Sequence, residues 1–170
     1  MDGTLAAVFV IASLTDMALN DCPTGCLATQ TAPARLAFQL GNATIDSRSA
    51  GQELLIALDA PFRIGPFQPT TAAALTDDGA AFFGAGAKWT DADILPGPLF
   101  VEASLLPGLY FPAAGPDLGG NLQFRASVGV GYAFAHGSTL SMIYDHRSNA
   151  DTEAFNPGLE VLSVRYAVSF

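Results

Sequence analysis

Near the end of the 170-residue chain stand three residue types that together can hydrolyse an ester: His146, Ser148 and Glu160. One residue separates His146 from Ser148, so on a β-strand they share a face. Asn156-Pro157-Gly158 is a turn signal between them and Glu160. Folding the chain back there sets His146 opposite Glu160, with about nine residues left over for the loop. A nucleophile, a base and a carboxylate would then meet on one two-stranded ribbon. In that arrangement the histidine takes the serine proton, and the glutamate fixes the imidazole tautomer and stabilises its cation. No G-x-S-x-G elbow occurs, which disfavours an α/β-hydrolase.

The elements that must position these residues are strands. Half of the residues are apolar and only 14% are charged, against about a quarter in ordinary soluble domains. Apolar residues do not form runs long enough to cross a bilayer as a helix. The net charge of −9, with seven scattered Lys and Arg, argues against nucleic acid as a partner. From about residue 33 onward, short alternating segments are separated by Gly, Pro, Asn and Asp clusters. Eight strands are expected, over about residues 34–43, 53–61, 66–76, 80–89, 98–107, 121–134, 138–149 and 159–170. Pro107 is expected to end the fifth.

The last three strands fix the architecture. Leu122, Phe124, Ala126, Val128, Val130 and Tyr132 share one face, opposite Gln123, Arg125, Ser127 and Gly129. Leu140, Met142 and Tyr144 lead into His146 and Ser148 on one face; Asp145, Arg147 and Asn149 look the other way. After Glu160 come Leu162, Val164, Tyr166, Val168 and Phe170, opposite Ser163, Arg165 and Ser169. A continuous greasy face backed by a polar, Arg-bearing one inverts the pattern of a small soluble barrel. It fits an all-β fold, an eight-stranded antiparallel transmembrane β-barrel of the outer-membrane type. The alternative is a soluble sandwich or ligand-binding barrel. Trp89, Tyr132, Tyr144, Tyr166 and Phe170 are expected in interfacial girdles. Gly84-Ala85-Gly86 and Gly129-Val130-Gly131 read as small lumen residues rather than phosphate loops.

Parity places His146, Ser148 and Glu160 together on the outward, apolar face. One register sets His146 against Glu160, Tyr144 against Leu162 and Met142 against Val164, so chemistry and packing agree. Charged groups there are tolerable near an interface and costly at the bilayer centre. With both termini on the periplasmic side, the 150–158 connection emerges at the outer surface, where a lipid of the outer leaflet is the simplest substrate. Asp151 and Glu153 read as solvated loop charges, and His136 as a turn residue at the opposite rim.

Residues 1–20 are expected to be a signal peptide or N-terminal leader, from the apolar run Leu5–Leu14. Asp2 departs from the usual basic start, and a short amphipathic helix or disordered arm is the alternative reading. Residues 21–32 form a linker with Cys22 and Cys26, and 33–170 the barrel domain. In an oxidising compartment that pair reads as a small disulfide loop; without further Cys or nearby His it is a poor zinc site.

His146-Arg147-Ser148-Asn149, then Asn156-Pro157-Gly158-Leu159-Glu160, then a last strand ending in Phe170 resembles the lipid A 3-O-deacylases, the PagL family of outer-membrane barrels. The resemblance implies hydrolysis of the ester-linked 3-hydroxyacyl chain at the 3-position of lipid A. It makes Ser148 the nucleophile, His146 the base and Glu160 the orienting acid, with no cofactor and no metal. Asn156 and Asn149 become candidates for oxyanion stabilisation, Asn149 through its backbone N–H because its side chain points inward. Lipopolysaccharide and outer-membrane lipids are the implied partners, in the bacterial outer membrane; a homodimer or larger membrane assembly is left open. The competing reading is a non-enzymatic structural or assembly-subunit barrel that retains the motif.

Overall fold

Alternating apolar and polar residues build strands whose two faces meet different surroundings. In the computed structural model, which describes Gly3–Phe170, ten strands follow one N-terminal helix. Eight form a closed antiparallel barrel: β2 (Arg35–Ile45), β3 (Arg48–Asp59), β5 (Gln68–Thr76), β6 (Ala81–Asp91), β7 (Leu99–Phe111), β8 (Leu122–Ala133), β9 (Thr139–Ser148) and β10 (Leu159–Ser169). Each pairs with its neighbour in sequence order, and β10 closes the ring on β2. All eight lie where the alternation predicts them. Two three-residue strands, β1 (Thr29–Thr31) and β4 (Phe62–Ile64), pair apart from the barrel and are too short to show a period.

The inverted polarity is present in three dimensions. Leu40, Leu54, Leu58, Met142, Leu162 and Val164 point outward and are exposed. The lumen is filled, and part of its filling is charged. Arg125 bridges Glu53 at 2.6 Å and Asp145 at 2.8 Å, while Arg147 reaches the other Glu53 oxygen at 2.5 Å. Arg165 pairs with Glu102 at 3.0 Å, and Lys88 with Asp59. Removing one partner from such a buried network costs about 3–5 kcal/mol, because the other charge is left uncompensated. Toward one end the filling turns apolar, with Phe82, Leu106, Tyr110, Leu118 and Leu159 buried together. Gly129 and Gly131 do sit inward: a Cβ on Gly131 would fall 2.2 Å from the Phe100 ring.

Four sequence expectations need correction. Pro107 does not end its strand, because β7 runs on to Phe111. The β6–β7 ladder has no partners between Gly84↔Gly108 and Ala87↔Leu105, so proline's missing N–H falls at a gap in the pairing. Trp89 is no girdle residue: a helix covers it, leaving it 4% exposed. Asp151 is more than a solvated loop charge, since it braces a side chain of the candidate site. The two ends of the described residues, finally, do not share a rim. Arg35 pairs with Ser169 at what we term the lower rim. The helix α1 (Thr4–Asp16) then runs along the outside of β7 and β8, so that Gly3 lies near the upper rim, beside His146 and Ser148.

Below the helix the chain passes through a wider π-helical turn, Met17–Asp21, and a loop closed by a Cys22–Cys26 disulfide. Asp21, Gln30 and Arg63 link this loop to the β1–β4 pair by side-chain hydrogen bonds. His136 sits in the lower-rim turn between β8 and β9, stacked on Phe134 and hydrogen-bonded to Ser138.

Candidate active site

β9 and β10 pair in the register read from the sequence: Glu160 opposite His146, Leu162 opposite Tyr144, Val164 opposite Met142. On its other side β9 pairs with β8, placing Ala126 beside His146 and Phe124 beside Ser148. The register thus sets Glu160 on one side of His146 and, on the other, Ala126, whose methyl group leaves the imidazole room. His146 is only 7% exposed although it belongs to the outward face. Glu160 also lies against the Tyr144 hydroxyl.

A cavity of about 360 Å³ opens beside these residues. Its barrel wall is Leu105, Phe124 and Ala126; its chemical wall is His146, Ser148, Ala150, Asp151 and Asn156. Glu160 is not among the residues that line it. Ser148 and His146 therefore face a space of small-molecule size, with Glu160 behind it.

The loop from Asn149 to Gly158 is held in a single shape by polar contacts. The buried Asn149 side chain donates to the carbonyls of Leu118 (3.2 Å), Gly119 (2.9 Å) and Phe155 (2.8 Å), tying the β7–β8 and β9–β10 connections together. The Asn149 backbone N–H donates to Asn156 Oδ1 at 3.1 Å. Both nitrogens of Asn149 are therefore engaged in building the loop, so neither is left to serve an oxyanion. Asn156 Nδ2 donates one proton to Asp151 Oδ1 at 2.8 Å. An amide carries two N–H donors, and the second stays available at the cavity wall. Ala150 and Asp151, directly after Ser148 and Asn149, take positive φ of 54° and 59°. Strained non-glycine backbone of this kind clusters at functional sites.

Gly158 completes the enclosure. Its φ is +72°, and a Cβ there would lie 2.7 Å from His146 Cε1 and 3.4 Å from Nε2. The glycine of the Asn-Pro-Gly turn thus serves twice, supplying a left-handed turn and a bare surface against the imidazole. Among the described residues no group of three or more His, Cys, Asp or Glu could hold a metal ion.

Residues 60–169 match the family model for lipid A 3-O-deacylase (PagL). The chain belongs to the PagL family. That span takes in His146, Ser148, Asn156 and Glu160, and leaves helix α1, β2 and β3 outside it. The fold agrees. A crystal structure of the outer membrane enzyme PagL superposes with a TM-score of 0.65 at 19% identity, covering 80% of this chain and 99% of that one. Neisserial surface protein A superposes at 0.56 with 13% identity, covering 84% of this chain and 99% of its own. A de novo designed transmembrane β-barrel reaches 0.58 at 10% identity, over 83% and 98% of the two chains. The barrel is thus of the outer-membrane type. No curated protein sequence matches the chain significantly. Three features of the candidate site carried no sequence signal: the Asp151 contact with Asn156, Gly158 as a neighbour of the imidazole, and the helix that lines the cavity with Ser148.

Proposed function

We propose that this chain removes the ester-linked 3-hydroxyacyl group from the 3-position of lipid A, working from the lipid-facing side of the barrel in the outer leaflet of the outer membrane. Ser148 Oγ attacks the acyl carbonyl carbon while His146 takes the hydroxyl proton. Glu160, paired across the ribbon, holds the imidazole in the right tautomer and offsets the charge it gains. The free N–H of Asn156 Nδ2 donates to the tetrahedral oxyanion, where fixed donors act most strongly. Collapse breaks the bond to the sugar oxygen, which leaves with the proton carried by His146. Water then attacks the acyl-serine with His146 again as base, releasing the hydroxy acid and restoring Ser148.

The observation that carries this reading is the in-register pair of His146 and Glu160, with Ser148 on the same outward face at the edge of a cavity. A site on the outside of a barrel, near a rim, suits a substrate that lies in the membrane and cannot enter a filled lumen. Incubating the purified protein with lipid A should release one hydroxyacyl chain, seen as a single mass loss by mass spectrometry. Ser148→Ala should abolish the loss; an active Ser148→Ala, or an inactive wild type, refutes the mechanism.

A further inference from the structure

Helix α1 presents two unlike faces. Leu5, Ala6, Phe9, Ala12, Ser13 and Asp16 recur at helical spacing and turn toward the barrel, with Phe9 and Ser13 fully covered. Val8, Ile11 and Leu14 lie on the other side and are exposed. The barrel surface beneath is built for close approach. Where the outward face elsewhere carries Phe38, Leu40, Leu54 and Ile56, here it offers Ala87 and Ala103, and Ala103 is 1% exposed. Small residues on both partners are the usual basis of helix packing inside a bilayer. Two specific contacts fix the position: Trp89 Nε1–H donates to Asp16 Oδ2 at 2.8 Å, and the Phe9 ring meets Phe67 at 6.0 Å. The buried Ser13 hydroxyl is satisfied within the helix, by the Phe9 carbonyl at 2.6 Å. Contrary to the sequence expectation that no apolar run is long enough to cross a bilayer as a helix, the segment from Thr4 to Asp21 is long and apolar enough to do so by length and composition.

The upper end of this helix is part of the candidate site. Gly3, Leu5 and Ala6 face Leu105, Phe124 and Ala126 across the cavity that His146 and Ser148 border. Leu105, which lines the cavity, also packs on the cluster of Phe9, Trp89 and Ala103 behind it. The space therefore has polar, titratable groups on one side and apolar walls from helix and barrel, with Leu105 backed by that cluster. A hydrocarbon chain is the occupant whose chemistry matches: its carbonyl end at Ser148 and its methylenes between helix and barrel.

We infer that helix α1 is a working part of the protein, docked on the lipid side of β6–β8, and that with Leu105 it forms a closed-ended pocket measuring the acyl chain of the ester substrate. This rests on the deacylase reading for the identity of the carbonyl at Ser148, while the docking of the helix does not. Ala6 sets the width of the pocket and Leu105, backed by Phe9 and Trp89, its depth. Filling the first shortens the chain accepted; emptying the second lengthens it.

Trp89 is the chain's single tryptophan, and it lies under the helix, so its fluorescence reports docking without reference to activity. In bilayers of brominated phospholipid the full-length wild type should be weakly quenched. Ser13→Leu, which pushes the helix off the barrel, should be strongly quenched. A fatty acid brominated at its chain end should quench wild-type Trp89 saturably, and Ala6→Phe should remove that response. With esters of increasing acyl length, Ala6→Phe should lower kcat/KM about fourfold for each methylene displaced, sparing short chains, and Leu105→Ala should shift the optimum to longer ones. Equal strong phospholipid quenching of wild type and Ser13→Leu overturns the docking. Uniform loss at every chain length, or bromo-acid quenching that survives Ala6→Phe, overturns the pocket and leaves the deacylase reading intact. No hydrolysis of any ester, with no labelling of Ser148 by a fluorophosphonate, sinks the deacylase reading instead, and the two quenching results then decide the inference alone.

Discussion

Gly158→Ala separates the turn from the chemistry. At a φ of +72° an alanine pays the left-handed penalty of about 1–2 kcal/mol. Its methyl would also stand 2.7 Å from His146 Cε1, whereas carbon pairs rest at about 3.5–4.0 Å. The imidazole, walled by Ala126 and Glu160 on its flanks, must then shift by about 1 Å, and a displacement of that size costs about a hundredfold in rate. Gly97→Ala supplies the control. With φ at +70° it pays the same backbone cost, but nothing lies within 4 Å of its Cβ. Lipid A deacylation kinetics and thermal unfolding should be measured on both variants. Both should lose similar stability, while only Gly158→Ala loses about two orders of magnitude in kcat/KM. If Gly158→Ala deacylates at the wild-type rate, or Gly97→Ala falls as far, then the contact with His146 does not set the imidazole position.

Asn156→Ala should lower kcat about 10²–10³-fold with little change in KM, measured in steady-state deacylation, because in the proposed mechanism it removes the oxyanion donor. Glu53→Gln takes one carboxylate from two buried arginines and should cost about 3–5 kcal/mol, read from the urea midpoint of the reconstituted barrel. Activity should survive chelator at full rate, since in the proposed mechanism Ser148 and His146 supply both nucleophile and proton transfer; complete loss in chelator would mean a different chemistry.

Strand alternation made most of the barrel legible, because each segment meets lipid on one side and packed side chains on the other. Even the β9–β10 register could be read, since Tyr144–Leu162 and Met142–Val164 prefer the same pairing as His146–Glu160. What stayed hidden depends on contacts between elements far apart in sequence. Pro107 looks like a strand end until β6 is seen to skip the rungs beside it. Trp89 looks like a girdle residue until α1 is seen lying across it. Asn149 looks like an oxyanion donor, but its side chain clamps three carbonyls from two loops and its N–H is spent on Asn156.

Alternation also explains how a site on the outside of a barrel is kept rigid. Arg147 lies between His146 and Ser148 in sequence, so its side chain must point into the lumen when theirs point out. There it is held by Glu53 at 2.5 Å and stacked over the rings of Phe82 and Tyr110, at 4.7 and 5.5 Å. Asp145, on the other side of His146, is fixed by Arg125 and by Gln39 at 3.1 Å. His146 is therefore flanked by two residues whose inward side chains are locked, and Ser148 by Arg147 and the clamped Asn149. A buried ionic network is a poor source of stability, yet it fixes position well. Here that position is the backbone of β9 at the two residues that, in the proposed mechanism, meet an ester at the membrane surface.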